Sequence, residues 1–315
     1  MKKSLKIFKI ALIALGVLTV VLLLTFGKRD IPLNILKEKY AAANTTSTFV
    51  EVDKMQIHLR DEGRTDDTLP IVLLHGTGSN LHTWDVWAAT LTETHRVIRL
   101  DLPAYGLTGP SPTGIYSAQF YSDFIHHFLQ KMGVKRCILT GNSLGGSIAW
   151  HTAAAYPDDV ARLILIDAAG YPTASKSLPI AFQLAKIPIV NKLLTFITPR
   201  SVIQKSLETA YFDKSKVTDA LIDQFFDMAC REGNRQAFVD NLNLQKTDDS
   251  QKIKTLQQPT LILWGAHDVM IPVENAHRFH ADMPNDTLLI FNNLGHVPME
   301  ENGQKTVDAI RFFVK

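Results

Sequence analysis

The chain has 315 residues, 46% hydrophobic and 20% charged, which is enough apolar material for a sizeable core and excludes a disordered chain. Its net charge of +2 is unevenly placed: residues 1–29 hold six basic groups and no acid, leaving 27 basic against 31 acidic residues in the rest. A mildly acidic body lacks the basic face that nucleic acid requires, and two cysteines, Cys137 and Cys230, build neither a disulfide framework nor a metal cluster.

In chain order the first element is Ile10–Phe26, IALIALGVLTVVLLLTF, seventeen residues without a charge. At about 1.5 Å per residue this run crosses most of a hydrocarbon core roughly 30 Å thick. An N-terminal transmembrane helix within residues 1–29 is therefore expected, acting as an uncleaved signal anchor. Lys2, Lys3, Lys6 and Lys9 outnumber Lys28 and Arg29, which puts the N-terminus in the cytoplasm and the body on the extracytoplasmic side. Secretion after signal cleavage is the alternative. Residues 30–48 read as a linker.

Beyond the linker, strands and helices alternate. Phe49–Val52 and Met55–Leu59 predict a hairpin turning at Asp53-Lys54. Ile71–Leu74 is a solid apolar run, the mark of a strand covered on both faces. It leads into LLHGTGSN, whose Gly76-Thr77-Gly78 turn could bring a backbone N–H to a substrate carbonyl; Thr77 is the favoured donor and Gly78 the alternative. His75 reads as an anchor of that turn. A helical pattern over Leu81–Leu91 precedes the strand Val97–Leu100, after which Asp101 opens DLPAYG and is expected to hold a turn together. Ala118–Met132 is helical and stops at Gly133.

Next comes Cys137–Leu139, a strand, then TGNSLGGS, then a helical pattern to Tyr156. Gly141-Asn142-Ser143-Leu144-Gly145 fits G-x-S-x-G between a strand and a helix, the context that gives this motif its meaning. A nucleophile on so tight a turn needs neighbours without Cβ atoms, and the helix start aims backbone N–H groups at charge developing near Ser143. The N–H of Leu144 is the expected second oxyanion donor.

The strand Leu163–Ile166 ends at Asp167. Residues 170–258 then carry helical stretches (Pro179–Ile189, Ser201–Tyr211, Val217–Ala229) and read as a helical cap over the carboxyl ends of the strands, where open α/β sheets bind ligands. The core on this reading is 49–169 with 259–315. Asp268 follows the strand Thr260–Leu263 in LWGAHDVMIP; His296 follows Leu288–Phe291 in NNLGHVPMEE; a helix over Thr306–Val314 closes the chain. A serine nucleophile needs a base, and an imidazole needs a carboxylate to fix its tautomer. His296 is the expected base and Asp268 the expected acid, with Asp167 the alternative acid. The order Ser143, Asp268, His296 is that of Ser-acid-His hydrolases.

Taken together, HGTGSN (75–80), DLPAYGLT (101–108), GNSLGG (141–146), WGAHD (264–268) and GHVPMEE (295–301) make residues 49–315 resemble the α/β-hydrolase superfamily. The resemblance implies a mostly parallel eight-stranded α/β sheet flanked by helices, a helical cap inserted after the sixth strand, no cofactor or metal, and Ser143, Asp268 and His296 as catalytic residues. Ala104 departs from it, standing where the family usually has glycine. Relatives that open epoxides or displace halides carry aspartate at the position of Ser143. The serine leaves hydrolysis of carboxylic esters or related acyl substrates first and cleavage of C–C bonds in ring-fission products second. A non-catalytic binding protein on the same fold is a further alternative. The apolar stretch Pro179–Ile197 also suits lipophilic substrates or contact with a bilayer.

Overall fold

In a computed structural model of the chain, which describes residues 29–42, 46–172, 175–244 and 247–315 together with 6–7, 9–10, 13–14, 16–17, 20–21 and 27, the apolar runs become one sheet. Its strands are β1 (Ser47–Val52), β2 (Met55–Gly63), β3 (Ile71–Leu74), β4 (Arg96–Leu100), β5 (Cys137–Asn142), β6 (Val160–Ile166), β7 (Thr260–Gly265) and β8 (Asp286–Phe291). Among the described residues the sheet has eight strands in the order β1-β2-β4-β3-β5-β6-β7-β8. The β1–β2 and β2–β4 pairs are antiparallel and the other pairs parallel. Asp53 and Lys54 have φ of 50° and 65°, the left-handed pair that a two-residue hairpin demands.

The alternation of side chains along each strand divides the core in two. Val72 and Leu74, Cys137 and Leu139, and Leu163 and Leu165 meet Phe124, Phe128 and Ile148 on one face. Ile71 and Leu73, Ile138, and Ile164 and Ile166 meet Trp84, Trp87 and Ile310 on the other. The helices α2 (Asp85–Leu91) and α12 (Gly303–Val314) therefore cover one side, and α3 (Ala118–Lys131) and α4 (Leu144–Ala155) the other. Because β4 lies on one side of β3 and β5 on the other, the winding direction reverses there. That reversal opens a crevice outside the carboxyl ends of β3 and β5.

Between β6 and β7 the described residues form α5 (Ile180–Ala185), α6 (Val190–Leu194), α7 (Arg200–Ala210), α8 (Asp219–Cys230) and α9 (Asn234–Asn243), and α10 (Glu274–Asp282) links β7 to β8. Residues 30–48 also hold structure: α1 (Leu33–Tyr40) packs Leu36 with Leu107 and Met228. Just before it, Asp30 pairs with Arg235 at 2.6 Å.

The expected N-terminal transmembrane helix is overturned. Among the described residues no helix is long and apolar enough to cross a membrane. The physical reason is length: the uncharged run Ile10–Phe26 is closed off by Lys9 and by Lys28-Arg29, and a span needs about twenty apolar residues. Anchoring by a single N-terminal helix with the body outside, which rested on that span, falls with it. Residues 1–5, 8, 11–12, 15, 18–19, 22–26 and 28 lie outside the described residues.

Asp101, at the end of β4, ties three parts of the core together. Its carboxylate accepts the backbone N–H groups of Leu81 (2.8 Å) and Leu107 (2.7 Å) and meets His58 Nδ1 at 2.7 Å, all buried. Burial by itself would push this carboxyl up, yet the His58 ring beside it holds it at about 2, below the ordinary 3.8. A depressed folded-state value contributes stability that is present above pH 4 and lost as pH falls toward 2. Asp101→Asn is expected to cost about 3 kcal/mol at pH 7 in urea denaturation, with the gap to the parent closing between pH 4 and pH 2.

Candidate active site

Ser143 sits at the joint between β5 and α4 with φ 55° and ψ −113°, strained backbone for a residue with a Cβ. The joint is held from both sides: the Ser143 N–H donates to the Ile166 carbonyl of β6 (3.0 Å), and its carbonyl accepts from Ser147 (3.0 Å) and Ala169 (3.1 Å). The flanking glycines allow no substitute. A Cβ on Gly141 would stand 2.2 Å from the Gly145 carbonyl, and one on Gly145 would stand 2.2 Å from the Leu74 carbonyl of β3. Leu144 opens the helix directly after the serine.

His296 lies in the loop between β8 and α11 (Pro298–Glu301) and is buried. Its Nδ1 is 2.7 Å from Asp268 Oδ2, and the other oxygen of Asp268 accepts the N–H groups of Met270 (2.7 Å) and Ile271 (3.0 Å). Nδ1 is therefore the donor and Nε2 the nitrogen left for other chemistry. Asp167, the alternative acid, lies beside this pair, with oxygens of Asp167 and Asp268 and a ring nitrogen of His296 all within 4.8 Å of one another. The His296 bond goes to Asp268.

Ser143, His296 and the Gly76-Thr77-Gly78 turn line one cavity with a volume of about 170 Å³. Its remaining wall is largely apolar, drawn from the inserted helices: Phe182, Leu194, Ile203, Leu207, Phe225 and Phe238. His75 is not exposed to it as a reacting group. Its Nδ1–H donates to the Gly76 carbonyl (2.8 Å) and its Nε2 accepts the Leu102 N–H (2.9 Å), and burial pushes it toward the neutral form. Ala104, where glycine would relieve strain, has φ 85° and is fully buried at the cavity edge.

Several residues that hold this site went unread in the sequence. The Asn142 amide donates to the carbonyls of Ile166 (3.2 Å) and His296 (3.0 Å), fastening the histidine loop to the serine turn. Glu301 accepts the N–H groups of Gly295 (2.6 Å), Phe212 and Asp213 (3.0 Å each), and the His296 N–H donates to Ala210 (2.8 Å). The inserted helices are thus bonded directly to the histidine loop. The only advance signal was position: Asn142 precedes the serine and Glu301 follows the histidine by five residues.

A hydrogen-bonded Ser-His-Asp chain runs from the β1–β2 hairpin to the end of β4, with Ser47 Oγ 2.6 Å from His58 Nε2 and His58 Nδ1 2.7 Å from Asp101. Ser47 stands on ordinary strand backbone, with no helix start behind it, so this chain has the proton partners of a nucleophile without its turn.

A profile of the family described as alpha/beta hydrolase fold matches residues 70–303. The chain belongs to that family. This α/β hydrolase is 27% identical over 259 residues to an uncharacterized hydrolase of Bacillus subtilis, covering 82% of this chain and 93% of that one. It is 28% identical over 258 residues to a 2-hydroxy-6-oxononadienedioate/2-hydroxy-6-oxononatrienedioate hydrolase of Pseudomonas putida, covering 79% of this chain and 88% of that one. Among solved structures, a candidate lipase of Acinetobacter baumannii superposes with a TM-score of 0.74 at 27% identity, over 91% of this chain and 96% of that one.

The turn at Ser143 makes a stability prediction for the hydrolase. Gly145→Ala drives a methyl group into the β3 backbone and is expected to cost about 3 kcal/mol, measured as a lowered urea midpoint.

Proposed function

We propose that this hydrolase cleaves carboxylic esters through an acyl-enzyme on Ser143. One observation carries the proposal: the strained Ser143 turn and His296, whose tautomer is set by Asp268, face a single apolar cavity. In this mechanism Ser143 Oγ attacks the ester carbonyl while His296 Nε2 takes its proton, then returns it to the departing alkoxide. Asp268 stabilises the imidazolium that forms. The N–H groups of Thr77 and Leu144 receive the oxyanion, helped by the positive end of α4. Water activated by His296 then releases the acid. The inserted helices act as a cap that supplies the acyl-binding wall.

The character of that wall favours a neutral, apolar acyl group. Among the described lining residues Arg235 is the one guanidinium or ammonium, and it is paired with Asp30 at 2.6 Å. The half-buried carboxyl of Glu300, accepting from Thr83 and Tyr211, stands in the same wall. A dianionic substrate of the kind named for the Pseudomonas putida relative would need more positive charge than this. Cleavage of C–C bonds is the second reading, favoured by that relative's likeness over most of both chains. A non-catalytic binding role is weaker, because nucleophile, base and acid positions are all occupied by competent residues.

Two outcomes test the proposal. Ser143→Ala should lower kcat/KM for nitrophenyl butyrate by at least about a thousandfold while leaving the urea midpoint near the parent's. With the parent enzyme, kcat/KM should rise about three- to fourfold per methylene from the acetyl to the hexanoyl ester, since each buried CH₂ contributes about 0.8 kcal/mol. Undiminished activity in Ser143→Ala rules the mechanism out.

A further inference from the structure

Two carboxyl groups stand at the ends of neighbouring strands, and the ester mechanism uses one of them. Asp167 follows β6 and Asp268 follows β7, both buried, with oxygens within 4.8 Å of one another and of a His296 ring nitrogen. Two negative charges at that separation, away from water, repel strongly. That repulsion favours a proton shared by the site, as in other carboxyl pairs.

The hydrogen bonds identify which carboxyl holds it. Asp268 is surrounded by donors: Met270 N–H and Ile271 N–H on one oxygen, and the His296 ring on the other. Asp167 receives a single donor, the Gly265 N–H at 3.0 Å on Oδ1. Its Oδ2 is buried and meets no donor among the described residues. An ionised carboxylate would leave that oxygen's charge unsatisfied, whereas a carboxylic acid turns the same atom into a donor.

The backbone agrees that Asp167 is placed with care. It has φ 44°, uncommon for a residue with a Cβ, and its N–H is bonded to the Leu263 carbonyl of β7 at 3.0 Å. The titratable groups that face it are Asp268 from the β7 loop, His296 from the β8 loop and Glu301 from α11. Burial pushes the Asp167 carboxyl well above the ordinary carboxylate range, and the charge of Asp268 adds to the effect, with a smaller contribution from Glu301.

We propose that Asp167 is a neutral carboxylic acid, protonated on Oδ2, that donates a hydrogen bond to the Asp268 carboxylate and holds it in place against His296. Asp167 is then a positioning residue for the charge relay and not a rival acid. It steadies Asp268 without adding a second negative charge to the site. This inference rests on the ester-hydrolase reading only for its kinetic test, since the protonation state itself can be observed without turnover.

The experiment compares the full-length parent with Asp167→Asn, whose amide keeps both the shape and a donor. In the infrared difference spectrum at pH 7, parent minus variant, the C=O stretch of a buried carboxylic acid is expected. A carboxylate band in its place overturns the proposal. In the pH profile of nitrophenyl butyrate hydrolysis, the acid limb of kcat/KM should stay within about 0.3 unit of the parent's, because no charge is removed. If Asp167 were ionised, deleting its charge about 5 Å from the imidazole would move that limb down by about two units, and such a shift overturns the proposal. Asp167→Leu, which removes the donor, should lower kcat about tenfold, with Asp167→Asn recovering most of the loss. An Asn variant no better than Leu counts against the donor role. Should Asp167→Leu fail to fold, the infrared and pH readings on Asp167→Asn still decide. Failure of the ester mechanism would show separately, as undiminished activity in Ser143→Ala.

Discussion

The contact on which the site depends is a close approach of backbones around Ser143. For the serine to stand at a strand-to-helix joint with φ 55°, the Gly145 backbone must pass against the Leu74 carbonyl, and Gly141 against Gly145. Any side chain at those two positions would force α4 away from β3 and β5. The strain at Ser143 is tolerated because the sheet on either side overdetermines the turn, through bonds to Ile166, Ser147 and Ala169. The backbone conformation of the Ser143 turn is thus a consequence of core packing, with two apolar faces clamping the strands that carry it.

The same logic extends across the sheet. Parallel strands deliver their carboxyl-end loops to one edge, so residues far apart in the chain meet there: Thr77 after β3, Ser143 after β5, Asp167 after β6, Asp268 after β7 and His296 after β8. A Cβ on Gly265 would stand 2.0 Å from the Gly295 carbonyl, so the β7 and β8 loops touch backbone to backbone. That contact brings Asp268 within hydrogen-bonding distance of His296. The Asn142 amide and the Glu301 carboxylate then fasten the histidine loop to the serine turn and to the inserted helices.

What was legible in the sequence follows from which forces are local. Strands covered on both faces read as apolar runs, and α3 and α4 read as helices ended by Gly133 and Pro157. The serine turn was legible because its glycines answer to a steric requirement that acts within five residues. Helix α9 was not, because NRQAFVDNLN shows no apolar stripe; it is held by contacts such as the buried Asn241 amide to Tyr121 at 2.9 Å. Helix α1 was hidden for a similar reason, being stabilised by tertiary packing of Leu36. The N-terminal run misled because absence of charge over seventeen residues is necessary for a span and falls short of sufficient. Asn142, Glu301 and the relation of Asp167 to Asp268 depend on loops meeting in space, and no local pattern announces them.

Comparing Ser47 with Ser143 separates hydrogen-bonded partners from backbone setting. Ser47 contacts His58, which contacts Asp101, on ordinary strand backbone, whereas Ser143 stands on a strained turn at a helix start and lines an apolar cavity with His296. The most direct measurement is to treat the protein with a fluorophosphonate and locate the adduct by peptide mass spectrometry. A single adduct on the peptide containing Ser143 is the predicted result; an adduct on Ser47, or none at all, would contradict it.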